Sequence, residues 1–200
     1  MQNVDIKLNV IVTGEPSVGK TSLIRRYAEN KFQEEYISTV GIDFSFKTTQ
    51  LNVCTSRGLQ PMSVRIKLYD IGGQNHYENR IRNWASQCMV YLICYDITNI
   101  ETFYRVPHWH QLITNIMNDA SAKAGYQLPY TIILVGNKGD LSPFHEQRYT
   151  LNHVEVERLT NGCQQLGVPF GMETSSKTGE NVGDLFDMIS KLAFNNLIRV

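Results

Sequence analysis

Between Gly14 and Thr21 the chain reads Gly14-Glu15-Pro16-Ser17-Val18-Gly19-Lys20-Thr21, which fits the pattern G-x-x-x-x-G-K-[ST]. That spacing suits a phosphate chain: backbone N–H groups of a glycine-bearing turn can wrap an anion, the lysine can reach the β- and γ-phosphates, and the hydroxyl can hold Mg²⁺. Two later segments carry matching chemistry. In Tyr69-Asp70-Ile71-Gly72-Gly73-Gln74 a carboxylate stands at a strand end, near the metal, and the bare backbone of Gly73 can approach a γ-phosphate. In Asn137-Lys138-Gly139-Asp140 a second carboxylate can accept both N–H groups on one edge of guanine. Adenine presents no such pair and would leave the buried acid unpaired. A phosphate loop alone does not separate an ATPase, a nucleotide kinase and a GTPase; the three segments in this order favour guanine.

These residues need a scaffold that ends strands beside one another. Ile6, Leu8, Val10, Ile11 and Val12 read as a buried strand before the loop, and Leu23, Ile24, Tyr27 and Ala28 recur at helical spacing after it. Such a junction aims N–H groups and the positive helix end at an anion. Lys31 to Gly41 is polar and without period, a loop. Ile42, Phe44 and Phe46 alternate with polar residues, as do Val64, Ile66 and Leu68, predicting an antiparallel hairpin joined by a long loop over Cys54–Pro61. Met89–Tyr95 and Tyr130–Val135 are almost continuously apolar and predict central parallel strands. Phe103, Val106, Ile113 and Met117 predict a helix with Pro107 near its first turn or at a kink. Asn118–Leu128 and Gly139–Tyr149 read as surface loops. A helix carrying Val154, Val156, Leu159 and Leu166 ends near Gly167, and a short strand is expected at Val168–Met172. The last helix has Asn181 as its expected N-cap, and Val182, Leu185, Phe186, Ile189, Leu192, Ala193 and Leu197 make its apolar face. With 200 residues and no repeat or linker, residues 1–200 read as one domain.

Composition narrows the function class. Nineteen basic and nineteen acidic residues cancel, so bulk attraction to nucleic acid or acidic membrane is not expected. Cys54, Cys88, Cys94 and Cys163 have no metal-ligand or redox spacing and read as reduced thiols of a cytoplasmic protein. The first apolar run is broken by Asp5, Lys7 and Asn9, unlike a secretory signal. Leu197–Val200 offers no cysteine for prenylation, so membrane association is not encoded in this stretch.

From about Ile6 to Leu197 the chain resembles the Ras superfamily of small GTPases, and within it the Rab family. The wording is shared in Phe32-Gln33-Glu34-Glu35-Tyr36-Ile37-Ser38-Thr39-Val40-Gly41-Ile42-Asp43-Phe44, in Tyr95-Asp96-Ile97-Thr98-Asn99, and in Glu173-Thr174-Ser175-Ser176-Lys177-Thr178-Gly179-Glu180-Asn181-Val182. The resemblance implies a three-layer α/β G domain of the phosphate-loop NTPase kind. Its sheet would be six-stranded and mostly parallel, with one antiparallel edge hairpin strand and about five helices. It implies GTP and GDP as substrate and product, with Mg²⁺ as cofactor. Glu15 to Ser22 would line the phosphates, including Pro16, Ser17, Val18 and Gly19. Thr21, Thr39 and Asp70 would hold the metal. Lys20, Thr39, Gly73 and Gln74 would act in hydrolysis, Gln74 by orienting the attacking water, as in Ras. Phe32 would pack on the base, Tyr36 would close over the phosphates, and Asn137, Lys138, Asp140, Leu141, Ser175, Ser176 and Lys177 would surround the guanine. An exchange factor, a GTPase-activating protein and effectors would read the switch loops of a monomer at the cytoplasmic face of an endomembrane.

The family's second switch continues W-D-T-A-G-Q-E-R-F, whereas here Tyr69, Ile71, Gly72, Asn75, His76 and Tyr77 replace six of its nine residues. Gln74 is retained. Pro16 brings a residue without an N–H into the phosphate loop, where it could impede an incoming arginine. Those departures keep a second reading open, a module that holds GTP or GDP with little or no hydrolysis. Tyr69, Tyr77 and Trp84 read equally as core or as an aromatic partner surface. His108 and His110 flank Trp109 at alternate positions, which on a helix face different ways and do not suit a metal.

Overall fold

Six runs rich in branched and aromatic residues pair into one sheet, in the spatial order β2-β3-β1-β4-β5-β6. The computed structural model describes residues 6–35, 39, 41–55, 58–72, 77–142 and 156–198. β1 (Ile6–Gly14) lies between β3 (Gly58–Ile71) and β4 (Val90–Asp96), parallel to both. β5 (Thr131–Asn137) and β6 (Phe170–Glu173) extend the parallel part, and β2 (Ile42–Thr55) is the antiparallel edge. Every residue of β4 is buried, as its unbroken apolar run requires of a strand covered on both faces.

Helices cover both faces. α1 (Lys20–Glu29) and α6 (Val182–Ile198) pack on one side, where Leu8, Val10 and Val12 of β1 meet Leu23 and Tyr27 of α1 and Leu185, Phe186 and Ile189 of α6. The rings of Tyr27 and Phe186 stack at 3.7 Å between centroids. On the other side α2 (Tyr77–Trp84), α3 (Ile100–Tyr104), α4 (Val106–Ala124) and α5 (Val156–Leu166) complete the layer. There Ile11, Tyr69, Ile93 and Tyr95 meet Ile81, Trp109, Ile113 and Met117. α3 and α4 make one helical arm, broken at Arg105, with Pro107 in the first turn of α4, where its missing N–H has no intrahelical partner to lose. The result is the expected three-layer α/β architecture.

Three expectations are corrected. The hairpin has no long loop, because β2 and β3 stay paired to Thr55↔Gly58, with Pro61 opposite Asn52. Among the described residues β1 joins β3 only from Val64, so Pro61 sits on a one-sided ladder where its lost donor costs no second bond. Asn118–Leu128 is not all loop: α4 runs to Ala124 because Met117 and Ser121 stay buried, and it stops at the left-handed Gly125. Asn181 does not cap α6 through its side chain; its φ is 57° and its amide donates to the Glu173 carbonyl at 3.0 Å. The last strand occupies Phe170–Glu173, beyond Pro169, and Val154 lies outside the described residues.

Replacing Phe186 by alanine removes the ring stacked on Tyr27 and is expected to destabilise the fold by about 3–5 kcal/mol, read as a lower urea midpoint at unchanged slope. A loss below about 1 kcal/mol would mean that α1 and α6 collapse onto the gap.

Candidate nucleotide-binding site

The C-terminal ends of β1, β3, β4 and β5 open on one side into a cleft of about 580 Å³. One end is built from the phosphate-loop sequence. Gly19 adopts φ 91°, and a Cβ there would lie 2.2 Å from Asn137 Nδ2, so only glycine permits this approach. Lys20, the first residue of α1, is buried, and its ammonium donates to the carbonyls of Gly14 (3.0 Å) and Glu15 (2.7 Å). Burial pulls the Lys20 pKa down, and the negative charges near it, among them Asp70 and Glu15, oppose that.

Beside Lys20 three oxygen-bearing side chains converge. Thr21 Oγ1 lies 2.8 Å from Thr39 Oγ1 and donates to Asp70 Oδ2 at 2.5 Å; Thr39 Oγ1 donates to the same oxygen at 3.2 Å. Among the described residues Asp70 Oδ1 is buried without a hydrogen-bond partner, and burial pushes the carboxyl pKa up, against the Thr21 bond and the Lys20 charge. A buried, under-satisfied carboxylate flanked by two hydroxyls is a hard oxygen donor set that fits Mg²⁺. The Thr39 backbone also runs close against the end of β3. A Cβ on Gly72 would stand 2.3 Å from the Thr39 carbonyl, and Gly72 N–H donates to the Gly41 carbonyl at 3.3 Å.

The far end of the cleft is organised by Asn137. Its Nδ2 donates to the carbonyls of Val18 (3.0 Å) and Gly19 (3.3 Å), and its Oδ1 accepts from Ser176 N–H (3.2 Å) and Ser176 Oγ (2.9 Å). Lys138 is left-handed (φ 69°), and its ammonium meets Asp96 Oδ2 at 2.5 Å; Asp96 Oδ1 in turn accepts from Thr98 N–H and Oγ1. Asp140 borders the cleft with Oδ1 fixed by Ser175 Oγ at 2.6 Å. Leu141, Ser176, Lys177 and Phe32 border it too. An exposed pair, Lys177 with Glu34 at 3.2 Å, crosses the rim but is too solvated to contribute much.

The structure sorts the expected residues. Pro16, Ser17, Thr21, Ser22 and Thr39 line the cleft together with Gly19 and Lys20. Val18 is buried and offers its carbonyl to Asn137, while Ser175 supports Asp140 from behind. Glu15 turns away: its Oε1 accepts from Trp109 Nε1 (2.9 Å) and Arg105 Nε (3.4 Å) on the α3–α4 arm. Tyr36, Gly73 and Gln74 lie outside the described residues. Sequence reasoning missed Asp96 as the partner of Lys138, although it stands in the shared wording, and missed Arg25, Gln33 and Glu34 on the wall. The aromatic question has a mixed answer. Tyr69 is core, Trp84 half-buried and Phe44 39% exposed, so one cluster runs from core to surface, with Lys67 Nζ 4.5 Å from the Phe44 centroid and 4.6 Å from that of Tyr69.

A family model described as Ras family matches residues 9–195, nearly the whole chain. This chain is a Rab-like member of the Ras family. Its relatives include the Ras-related protein Rab-7L1 of Rattus norvegicus and that of Mus musculus. Each is 30% identical over 192 residues, covering 96% of this chain and 84% of the relative. Ras-family GTPases bind GTP and GDP with Mg²⁺ and work with exchange factors, activating proteins and effectors. Among the described residues no helix is long and apolar enough to cross a membrane.

Because Gly72 touches the Thr39 carbonyl, Gly72→Ala must move Thr39 off the hydroxyl–carboxylate cluster. Binding of a non-hydrolysable GTP analogue with Mg²⁺ should weaken about 5–30-fold, with GDP affected less. Equal affinities for the analogue, measured by titration calorimetry, would show that the segment slides aside without consequence.

Proposed function

We propose that this Rab-like GTPase is a GDP/GTP switch that hydrolyses GTP slowly to GDP and phosphate and regulates intracellular vesicle traffic. The carrying observation is the pairing of two ends in one cleft. Lys20, Thr21, Thr39 and Asp70 sit at one end, and Asp140, Lys138, Ser176 and Lys177 at the other. A triphosphate and a guanine need those chemistries at opposite ends of one ligand. Lys20 neutralises charge on the β- and γ-phosphates, and a lysine already lowered by burial offers a poorly solvated, hence stronger, charge to them. Mg²⁺, when bound, adds charge compensation on the phosphate oxygens. Thr21, Thr39 and Asp70 would hold it. Asp140 accepts from the guanine edge, and Phe32 and the Lys138 stem flank the base. Gly73 donates its N–H to the γ-phosphate and Gln74 orients the attacking water, roles that rest on the resemblance.

With Thr39 beside Thr21 and Asp70, a γ-phosphate and Mg²⁺ bound there would hold this segment for effectors to read, and loss of the γ-phosphate would release it. Exchange factors, activating proteins and effectors would meet a monomeric single domain, residues 1–200, at the cytoplasmic face of an endomembrane. One observation favours a second reading, the GTP-holding module: Pro16 lines the cleft, where it supplies no N–H and narrows the path for an arginine from an activating protein.

Single-turnover hydrolysis of GTP loaded with Mg²⁺ separates the two. Slow turnover in the wild-type chain, reduced at least about ten-fold in Gln74→Leu, is expected for the switch. Tight GTP binding without turnover in either protein means the holding module. Asp140→Ala should lower GDP affinity by at least about 10²-fold and leave ADP binding as poor as before.

A further inference from the structure

Arg26 lies in the last turn of α1 and does not border the cleft, yet its guanidinium joins two of the cleft's walls. Nε donates to the Ser176 carbonyl at 2.8 Å and Nη2 to the Lys177 carbonyl at 2.6 Å. Nη1 donates to the carbonyl (3.2 Å) and the side-chain Oδ1 (3.1 Å) of Asn30. Asn30 is the left-handed cap of α1, its own N–H returning to the Arg26 carbonyl at 3.0 Å, and the chain leads from it directly to Phe32. The stem of the same side chain packs under the following turn, where a Cβ on Gly179 would lie 3.5 Å from Arg26 Cδ. A planar fork with fixed donor directions is suited to hold several carbonyls at once; an ammonium is not.

The contact fixes a peptide plane. In a trans peptide the C=O and N–H point in opposite directions. A Ser176 carbonyl aimed at Arg26 therefore turns the Lys177 N–H to the opposite side, and Ser176 and Lys177 both border the cleft. The neighbouring donors are engaged: Ser175 N–H donates to the Glu180 carbonyl at 3.1 Å and Ser176 N–H to Asn137 Oδ1 at 3.2 Å. Among the described residues the Lys177 N–H has no protein acceptor, so it is the donor left for a base.

We propose that Arg26 is a positioning residue for guanine recognition. It holds the Ser176–Lys177 peptide so that the Lys177 N–H donates to the 6-oxo group, and it ties that peptide to the segment bearing Phe32. The inference rests on the guanine reading of the cleft. It is tested with the full chain, wild type, Arg26→Met and Arg26→Lys, by the affinities for GDP, 6-thio-GDP and inosine diphosphate. The thio analogue keeps the N1–H and 2-amino donors but replaces the 6-oxo acceptor by a poor one; inosine diphosphate keeps the 6-oxo group and lacks the 2-amino group.

Arg26→Met should bind GDP about ten-fold more weakly and lose most of its preference for GDP over 6-thio-GDP. Its preference for GDP over inosine diphosphate, which reads the Asp140 end, should stay within about two-fold of wild type. Arg26→Lys, able to hold one carbonyl but not the fork, should fall between, and decides the matter if the methionine variant does not fold. An unchanged 6-thio-GDP preference overturns the proposal, and so does an equal collapse of both preferences, which marks a merely structural role. A wild-type chain that does not prefer GDP to ADP overturns the guanine reading itself, and this inference with it.

Discussion

The side-chain amide of Asn137 donates to two carbonyls of the phosphate loop and accepts from two donors of Ser176, so one buried group sets the spacing between the two ends of the cleft. Both halves of the amide are used, and it is 1% exposed, so no water can replace a lost partner without rearrangement. The approach requires Gly19 to carry no side chain, which makes the glycine and the asparagine two parts of one device. β5 delivers the asparagine from its last position, and β1 delivers the loop from the strand two places away. The parallel sheet matters to function for this reason: it brings residues distant in sequence to one rim at fixed spacing.

The same rim collects most of the buried polar groups among the described residues. Asp70 and Asp96 stand at the ends of β3 and β4, and both are met by hydroxyls that orient them. Asp96 is fully matched by Lys138 and Thr98, and it stays a support. Among the described residues Asp70 keeps one oxygen without a partner beside two hydroxyls, a demand that a hard cation would meet. The apolar layers behind, with Trp109, Tyr91 and Tyr95 fully enclosed, give the rim a rigid base.

Much of this was legible in the chain because the signals are local. The phosphate loop, the β1–α1 junction, Asp70 at a strand end and Asn137–Asp140 each lie within a few residues of the periodicity that places them. The failures share a different cause. Pro61 and its polar neighbours look like a loop unless one knows that β2 pairs with them there, Pro61 opposite Asn52. The tail of α4 looks polar because its buried positions, Met117 and Ser121, are spaced by solvent-facing residues. Asn181 has the right residue type for a cap and the wrong backbone conformation. The partners of Lys138, Glu15 and Arg26 lie about 40, 90 and 150 residues away, and nothing local in a sequence reports contacts at that range.

The attachment of Glu15 to Trp109 has an optical side. The chain has two tryptophans, and the indole N–H of one of them donates to the first side chain of the phosphate loop. The other, Trp84, meets Phe44 edge to face and Tyr69 at a tilt, at the surface end of the aromatic cluster. Tryptophan emission from this protein therefore comes from two known places, one tethered to the loop and one beside Lys67 and the edge hairpin. Replacing either indole by phenylalanine leaves the other as a single reporter, so loop and hairpin can be followed separately in solution without a dye.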